Sequence, residues 1–126
     1  MEQTKKAGLF SWNELMTSDV AGAKKFYGEL LGWELVDTPM CDMGYTLVKV
    51  DGQDIAGIMA TPEEAKGMPP MWGGYVTVDD VDAVVERVVG LGGKVCVEPQ
   101  DIPDVGRFTV IQDPQGAMLS LITYTC

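Results

Sequence analysis

The feature that most constrains this 126-residue chain is an internal repeat. A shift of 61 positions lays Asp19 on Asp80, Val20 on Val81, Leu30 on Leu91, Gly32 on Gly93 and Val36 on Val97. A shift of 62 lays Asp51 on Asp113 and Ala56 on Met118. A period of this size means two copies of one supersecondary unit, and a drift of one residue is what a loop insertion produces. Whatever fold one half adopts, the other is expected to adopt too.

Each half reads as a strand, a helix opened by an acidic cap, then three strands. In the first, Leu9 to Met16 is short and apolar enough for a strand, and Ser18 and Asp19 offer side-chain oxygens to the free amides of a helix start. Val20, Ala23, Phe26, Tyr27, Leu30 and Leu31 recur at three- and four-residue steps and predict an amphipathic helix closed by Gly32. Strands follow near Trp33 to Asp37, Met43 to Val50 and Asp54 to Met59, with Asp51-Gly52 as the tight turn. The second half gives a strand from Gly73 to Val78, a helix from Asp80 to about Leu91 closed by Gly92 and Gly93, and strands near Lys94 to Glu98, Phe108 to Gln112 and Ala117 to Tyr124.

Between the halves, residues 61–71 hold Pro62, Gly67, Pro69 and Pro70, a composition that predicts a linker. The fold class expected is therefore α+β: two tandem βαβββ modules, 8–60 and 72–124, in one domain spanning 1–126. Neither half is long enough to bury both faces of its own sheet. The two four-stranded mixed sheets are expected to pair, within one chain or between two exchanged chains, so monomer and homodimer both stay open.

Composition excludes several classes of function. Apolar residues make up 46% and charged residues 22%, the balance of a globular protein with a real core. Nine Lys and Arg against nineteen Asp and Glu give a formal charge of −10, which repels phosphate backbones and anionic lipid, so neither nucleic acid nor a membrane is expected as partner. Cys41, Cys96 and Cys126 are odd in number and lack metal-knuckle or redox spacing, which fits a reducing cytoplasm. Met1 to Ala7 precede no apolar stretch of signal-peptide length, and no run approaches membrane-spanning length.

Three runs carry a family resemblance. The first is Ser18, Asp19 and Val20 followed by Ala23, Phe26, Tyr27, Leu30, Gly32 and Trp33. The second is Val78 to Asp82, and the third is Gly106, Arg107 and Phe108 with Asp113 to Gly116. Their order, spacing and duplication resemble the vicinal oxygen chelate superfamily, which includes glyoxalase I, extradiol dioxygenases, fosfomycin-inactivating enzymes and bleomycin-binding proteins. The likeness covers Gly8 to Tyr124. It implies that the two sheets curl into a cup whose inner surface holds the site.

In metal-using members, the resemblance further implies, a divalent ion is held by His, Glu or Gln on the first and last strands of each module. Counted from Asp19, Asp80 and Asp113, those positions are Trp12, Gly73 and Ser120, with Ile58 as the first-module counterpart of Ser120. None supplies a good ligand, and the chain has no histidine. No metal and no cofactor are therefore expected.

On the strand face expected to line the cup, Glu14 lies two residues beyond Trp12, where a carboxylate can anchor an amine or hydroxyl or act as general base. A register shifted by one would turn Glu14 outward and send Asn13 in. Tyr75 and Thr77, with Met118 and Ser120, occupy the equivalent face of the second module, although Met118 and Ile58 read better as core. Phe108 and Arg107 can close over a ligand, while such an arginine more often bridges surface carboxylates. Cys96 sits among recurring apolar residues and is expected to be buried.

Three functional readings follow. One is a metal-independent binder of a small organic molecule, like the bleomycin-binding members, with Trp12, Glu14, Tyr75, Thr77, Phe108, Met118 and Ser120 as contacts. Another is a lyase, isomerase or transferase with Glu14 as catalytic base. A third makes the chain a subunit whose acidic surface meets a partner.

Overall fold

The computed structural model describes residues 6–38, 45–63, 66–102 and 105–125. Cys41, Cys126 and the first two residues of the strand expected from Met43 lie outside them. Among the described residues the elements run β1 (Phe10–Thr17), α1 (Val20–Leu31), β2 (Glu34–Thr38), β3 (Tyr45–Val50), β4 (Gln53–Ala60), β5 (Met71–Thr77), α2 (Val81–Gly90), β6 (Lys94–Ile102), β7 (Gly106–Gln112) and β8 (Met118–Tyr124). The order is βαβββ twice, and the class is α+β as expected. No helix among them is long and apolar enough to cross a membrane.

The chain divides into two compact units, Asn13–Trp72 and Met1–Trp12 with Gly73–Cys126. In the first, the strand order is β2-β3-β4-β1. β2, β3 and β4 pair antiparallel, and β4 pairs parallel with β1. In the second, β6, β7 and β8 pair antiparallel and β8 pairs parallel with β5. Each sheet is thus mixed, with its helix as the crossover from the first strand.

The helix signals are realised residue by residue. Asp19 accepts a hydrogen bond from the Gly22 amide at 2.9 Å, and a side chain at 22 would overlap that carboxylate, so glycine suits this cap. Gly32 ends α1 in the left-handed conformation, φ 69°. Asp80 caps α2 through the amides of Asp82 and Ala83. Asp51 and Gly52 both take positive φ, 52° and 78°, as a two-residue hairpin with the right-handed strand twist requires.

Leu15, Val48, Ala56 and Ile58 form the core of the first unit, against which Val20, Ala23 and Tyr27 of α1 pack. Ile58 is fully buried there, which corrects its assignment to a ligand-facing position and matches its reading as core. The apolar stripe of α1 is wider than this contact. Phe26, Leu30 and Leu31 remain exposed, and no residue of the helix is buried.

Three further expectations are corrected. The strand predicted to stop at Glu98 continues across Pro99 to Ile102, with a shift of register between Val97 and Gln100. β6 is the outermost strand in its unit's order, and an edge strand at a bulge tolerates a residue without an amide donor. Cys96 is exposed rather than buried, because the buried side of the strand is taken by its neighbour Val97. The strand predicted from Gly73 begins two residues earlier, at Met71.

Truncating Ile58 leaves a cavity between sheet and helix. Ile58→Ala should cost about 2–5 kcal/mol of stability, read by urea denaturation monitored through the tryptophans.

Candidate functional site

Parallel pairing with β4 sets Glu14 opposite Gly57, and antiparallel pairing with β3 sets Gly57 opposite Leu47. Register partners share a face, so Glu14, Gly57 and Leu47 lie together on the side away from the Leu15–Ile58 core and α1. Tyr45, two residues before Leu47, is on the same face. Its hydroxyl donates to Glu14 Oε2 at 2.8 Å.

The phenol reaches β1 from β3 by crossing the intervening strand over Gly57. Any side chain at 57 would overlap the Tyr45 ring and hydroxyl, so glycine is required here for close approach and not for backbone conformation. Glu14 is 5% exposed and Tyr45 9%. Of the two registers considered for β1, the structure takes the one that buries Glu14 and exposes Asn13. Tyr45 and Gly57 belong to this arrangement around Glu14, and the repeat, read at shifts of 61 and 62, did not bring them forward.

The second unit carries the counterpart. Tyr75 pairs with Ser120, and Ser120 with Val110. Thr77 pairs with Ile122, Ile122 with Phe108, and Met118 with Gln112. Tyr75, Thr77, Phe108, Met118 and Ser120 therefore share one face. It is the face opposite α2, whose first amide is bonded to Thr123 on the other side of β8. The rings of Tyr75 and Phe108 meet at 6.3 Å. Tyr75, Thr77 and Ser120 are buried, while Phe108 and Met118 are half-buried. Trp12, half-buried on β1, closes this unit in sequence.

The ladders make the modules superimposable. Glu14, Gly57 and Tyr45 correspond to Tyr75, Ser120 and Phe108, the last two at a shift of 63. Gly57, and not Ile58, is therefore the first-module equivalent of Ser120. With Gly57 in place of Ile58, the positions that the resemblance implies for metal ligands hold Trp12, Gly57, Gly73 and Ser120, which offer one hydroxyl and no carboxylate, thiolate or imidazole. Glu14, the nearest carboxylate in sequence, accepts the Tyr45 hydrogen bond. No three His, Cys, Asp or Glu among the described residues are grouped to hold a metal. These residues do not fit the family's divalent ion.

Arg107 does not join these faces. Its guanidinium grips Asp82 through Nε at 2.8 Å and a terminal nitrogen at 3.1 Å, and reaches Asp101 at 3.0 Å. It bridges surface carboxylates, the second of the two readings of this arginine, and ties α2 to β7 and β6. The Arg107 hydrogen bonds hold the Asp82 carboxyl below the usual aspartate range. In the same unit, the Tyr124 hydroxyl donates to Ser11 at 2.8 Å, and burial pushes that phenol up.

A model of the Glyoxalase/Bleomycin resistance protein/Dioxygenase superfamily matches residues 9–121. Over 119 residues the chain is 44% identical to a protein of Mycobacterium tuberculosis with the provisional name glyoxylase CFP32, covering 92% of this chain and 46% of that protein. Over 128 residues it is 34% identical to the anthracycline biosynthesis protein DnrV of Streptomyces peucetius, covering 90% and 46%. The chain thus spans about half the length of these curated relatives. Among solved structures, a methylmalonyl-CoA epimerase of Streptomyces coelicolor is similar in fold, with a TM-score of 0.66 at 18% identity over 96% of this chain and 97% of that one. The epimerase of Mycobacterium tuberculosis gives 0.61 at 20% identity over 97% and 94%.

Two measurements check this geometry. Gly57→Ala should destabilise the protein by about 1–3 kcal/mol through overpacking against Tyr45, and most of that cost should vanish in a Tyr45→Ala background, giving a coupling outside the error of a double-mutant cycle. Carbon-detected titration of Asp82 should move its pKa upward in Arg107→Ala, because the donors that favour the ionised carboxylate are gone.

Proposed function

Given that the chain belongs to the Glyoxalase/Bleomycin resistance protein/Dioxygenase superfamily, we propose that it binds a small organic molecule without a metal ion, with Glu14 as the polar anchor. The observation that carries this reading is the carboxylate held by Tyr45 over Gly57 on a face that α1 does not cover. A buried carboxylate with a fixed oxygen selects a hydrogen-bond donor, an amine or hydroxyl, and does so best when the donor is charged. The aromatic face formed by Tyr75 and Phe108, with the hydroxyls of Thr77 and Ser120, has the make-up of surfaces that receive planar organic groups. Trp12 and Met118 are the further contacts proposed in that unit. The family's bleomycin resistance proteins and the relative named for anthracycline biosynthesis support an aromatic, amine-bearing ligand.

A second reading rests on the same carboxylate. A base whose second oxygen position is dictated by a phenol is pre-oriented for proton abstraction, and Glu14 then serves a lyase, isomerase or transferase. Turnover separates the two: binding with no product supports the first, and product formation abolished by Glu14→Gln with binding retained supports the second.

An anthracycline, with planar rings and an amino sugar, is the direct probe. Its fluorescence should be quenched by the wild-type protein with equal affinity before and after treatment with a chelator. Glu14→Gln should weaken binding by about tenfold or more, the loss expected when a charged acceptor becomes neutral. An affinity that collapses on chelation, or one that Glu14→Gln leaves untouched, would refute the anchor.

A further inference from the structure

The outer face of α1 is apolar, and no element among the described residues covers it. Phe26 is 58% exposed, Leu30 62% and Leu31 51%, on a helix whose inner residues suffice for the core contact. A shallow groove of about 450 Å³ runs along this face, lined by Gly22, Lys25, Phe26, Glu29 and Leu30. Three large apolar side chains exposed on twelve residues are more than scattered surface hydrophobics require, and such a patch marks a contact surface.

The pattern on this strip is self-complementary. Gly22, Phe26 and Leu30 follow one another at four-residue steps, with Lys25 and Glu29 on the same flank. If a second α1 lies antiparallel across a two-fold axis near Phe26, each Leu30 comes level with the Gly22 of the other copy, where no side chain fills the space. At 1.5 Å rise per residue, each Lys25 falls within roughly 3 Å, along the axis, of the other copy's Glu29, and on the same side of the seam. A parallel two-fold pairing would instead place the two Lys25–Glu29 flanks on opposite sides of the seam, where they cannot meet. Unlike charges are matched across the seam only in the antiparallel arrangement, which the charge pattern therefore favours. A pair of copies also has about the chain length of the curated relatives, of which this chain spans 46%.

We propose that the Gly22–Lys25–Phe26–Glu29–Leu30 face of α1 is an isologous interface to a second copy of this chain, packed antiparallel about Phe26. The interface is independent of the ligand reading, since none of its residues belongs to the Glu14 or Tyr75 faces.

Sedimentation equilibrium across a concentration series tests it, with circular dichroism to verify that each variant is folded. Wild type should be a dimer in the micromolar range. Phe26→Glu should shift it to monomer by at least about a hundredfold in dissociation constant, the effect of a charge at the centre of an apolar contact. Lys25→Glu and Glu29→Lys should each weaken the dimer about threefold to tenfold, and the double exchange should restore it, because the unlike pairs re-form with reversed sign. A wild type that stays monomeric at hundreds of micromolar, a Phe26→Glu protein that still dimerises, or a double exchange that fails to recover would each overturn the proposal.

Discussion

Parallel pairing between the first and last strands of each module governs where every candidate side chain falls. Parallel neighbours cannot be joined by a tight turn, so α1 and the β2–β3 hairpin must intervene between β1 and β4, and α2 and the β6–β7 hairpin between β5 and β8. The helix then covers one face of its sheet and leaves the other for the residues paired across that ladder. Glu14 is set against Gly57, and Tyr75 against Ser120. A slip of one residue in either ladder would put a neighbour in their place, Asn13 or Leu15 in the first and Gly74 or Val76 in the second, and would turn Leu15 out of the core.

The two ladders carry different chemistry on the same frame. A carboxylate with 5% exposure has lost most of its hydration and is tolerable only with donors supplied by the protein. Tyr45 supplies one, and to reach Glu14 it needs the absence of a side chain at 57. In the other module the middle position holds a serine, the far one a phenylalanine, and the near one a tyrosine that meets that ring at 6.3 Å. One copy has kept a buried ionisable group and the other an aromatic pair. On the helix side both modules hold a threonine at the equivalent position: Thr46 bonds to Asp37, and Thr109 to the Val97 carbonyl at 2.6 Å.

Much of the fold was legible because its signals are local. Asp19 and Asp80 cap, Gly32 terminates, and Asp51-Gly52 turns, each for reasons confined to a few residues. Glu14 was also reachable, since alternation along one strand needs no knowledge of its neighbours. Tyr45 was not, because its role depends on a register two strands away. The signal was present all the same: a shift of 63 lays Tyr45-Thr46-Leu47-Val48 on Phe108-Thr109-Val110-Ile111, four like residues in succession. The shift of 62, taken from the turns at Asp51 and Asp113, placed Ile58 where Gly57 belongs. The end expected near Glu98 failed in the opposite way: the strand runs on through Pro99 because it is an edge strand, where no neighbour demands the missing amide.

The helices show the same division between what a pattern states and what a neighbour decides. α2 buries Val81 and Val88 and is fastened to its sheet by Arg107. α1, with the wider apolar stripe, buries nothing fully and is held at its flank by the Lys24–Asp37 ion pair. Periodicity identifies both as amphipathic, but it cannot say that a sheet of four strands covers only part of a stripe as broad as Phe26, Tyr27, Leu30 and Leu31. The surplus lies on the helix whose module also carries the buried Glu14. In a chain of formal charge −10, where net repulsion opposes association, an apolar strip that also carries a cation and an anion one turn apart is the surface on which that repulsion is locally cancelled.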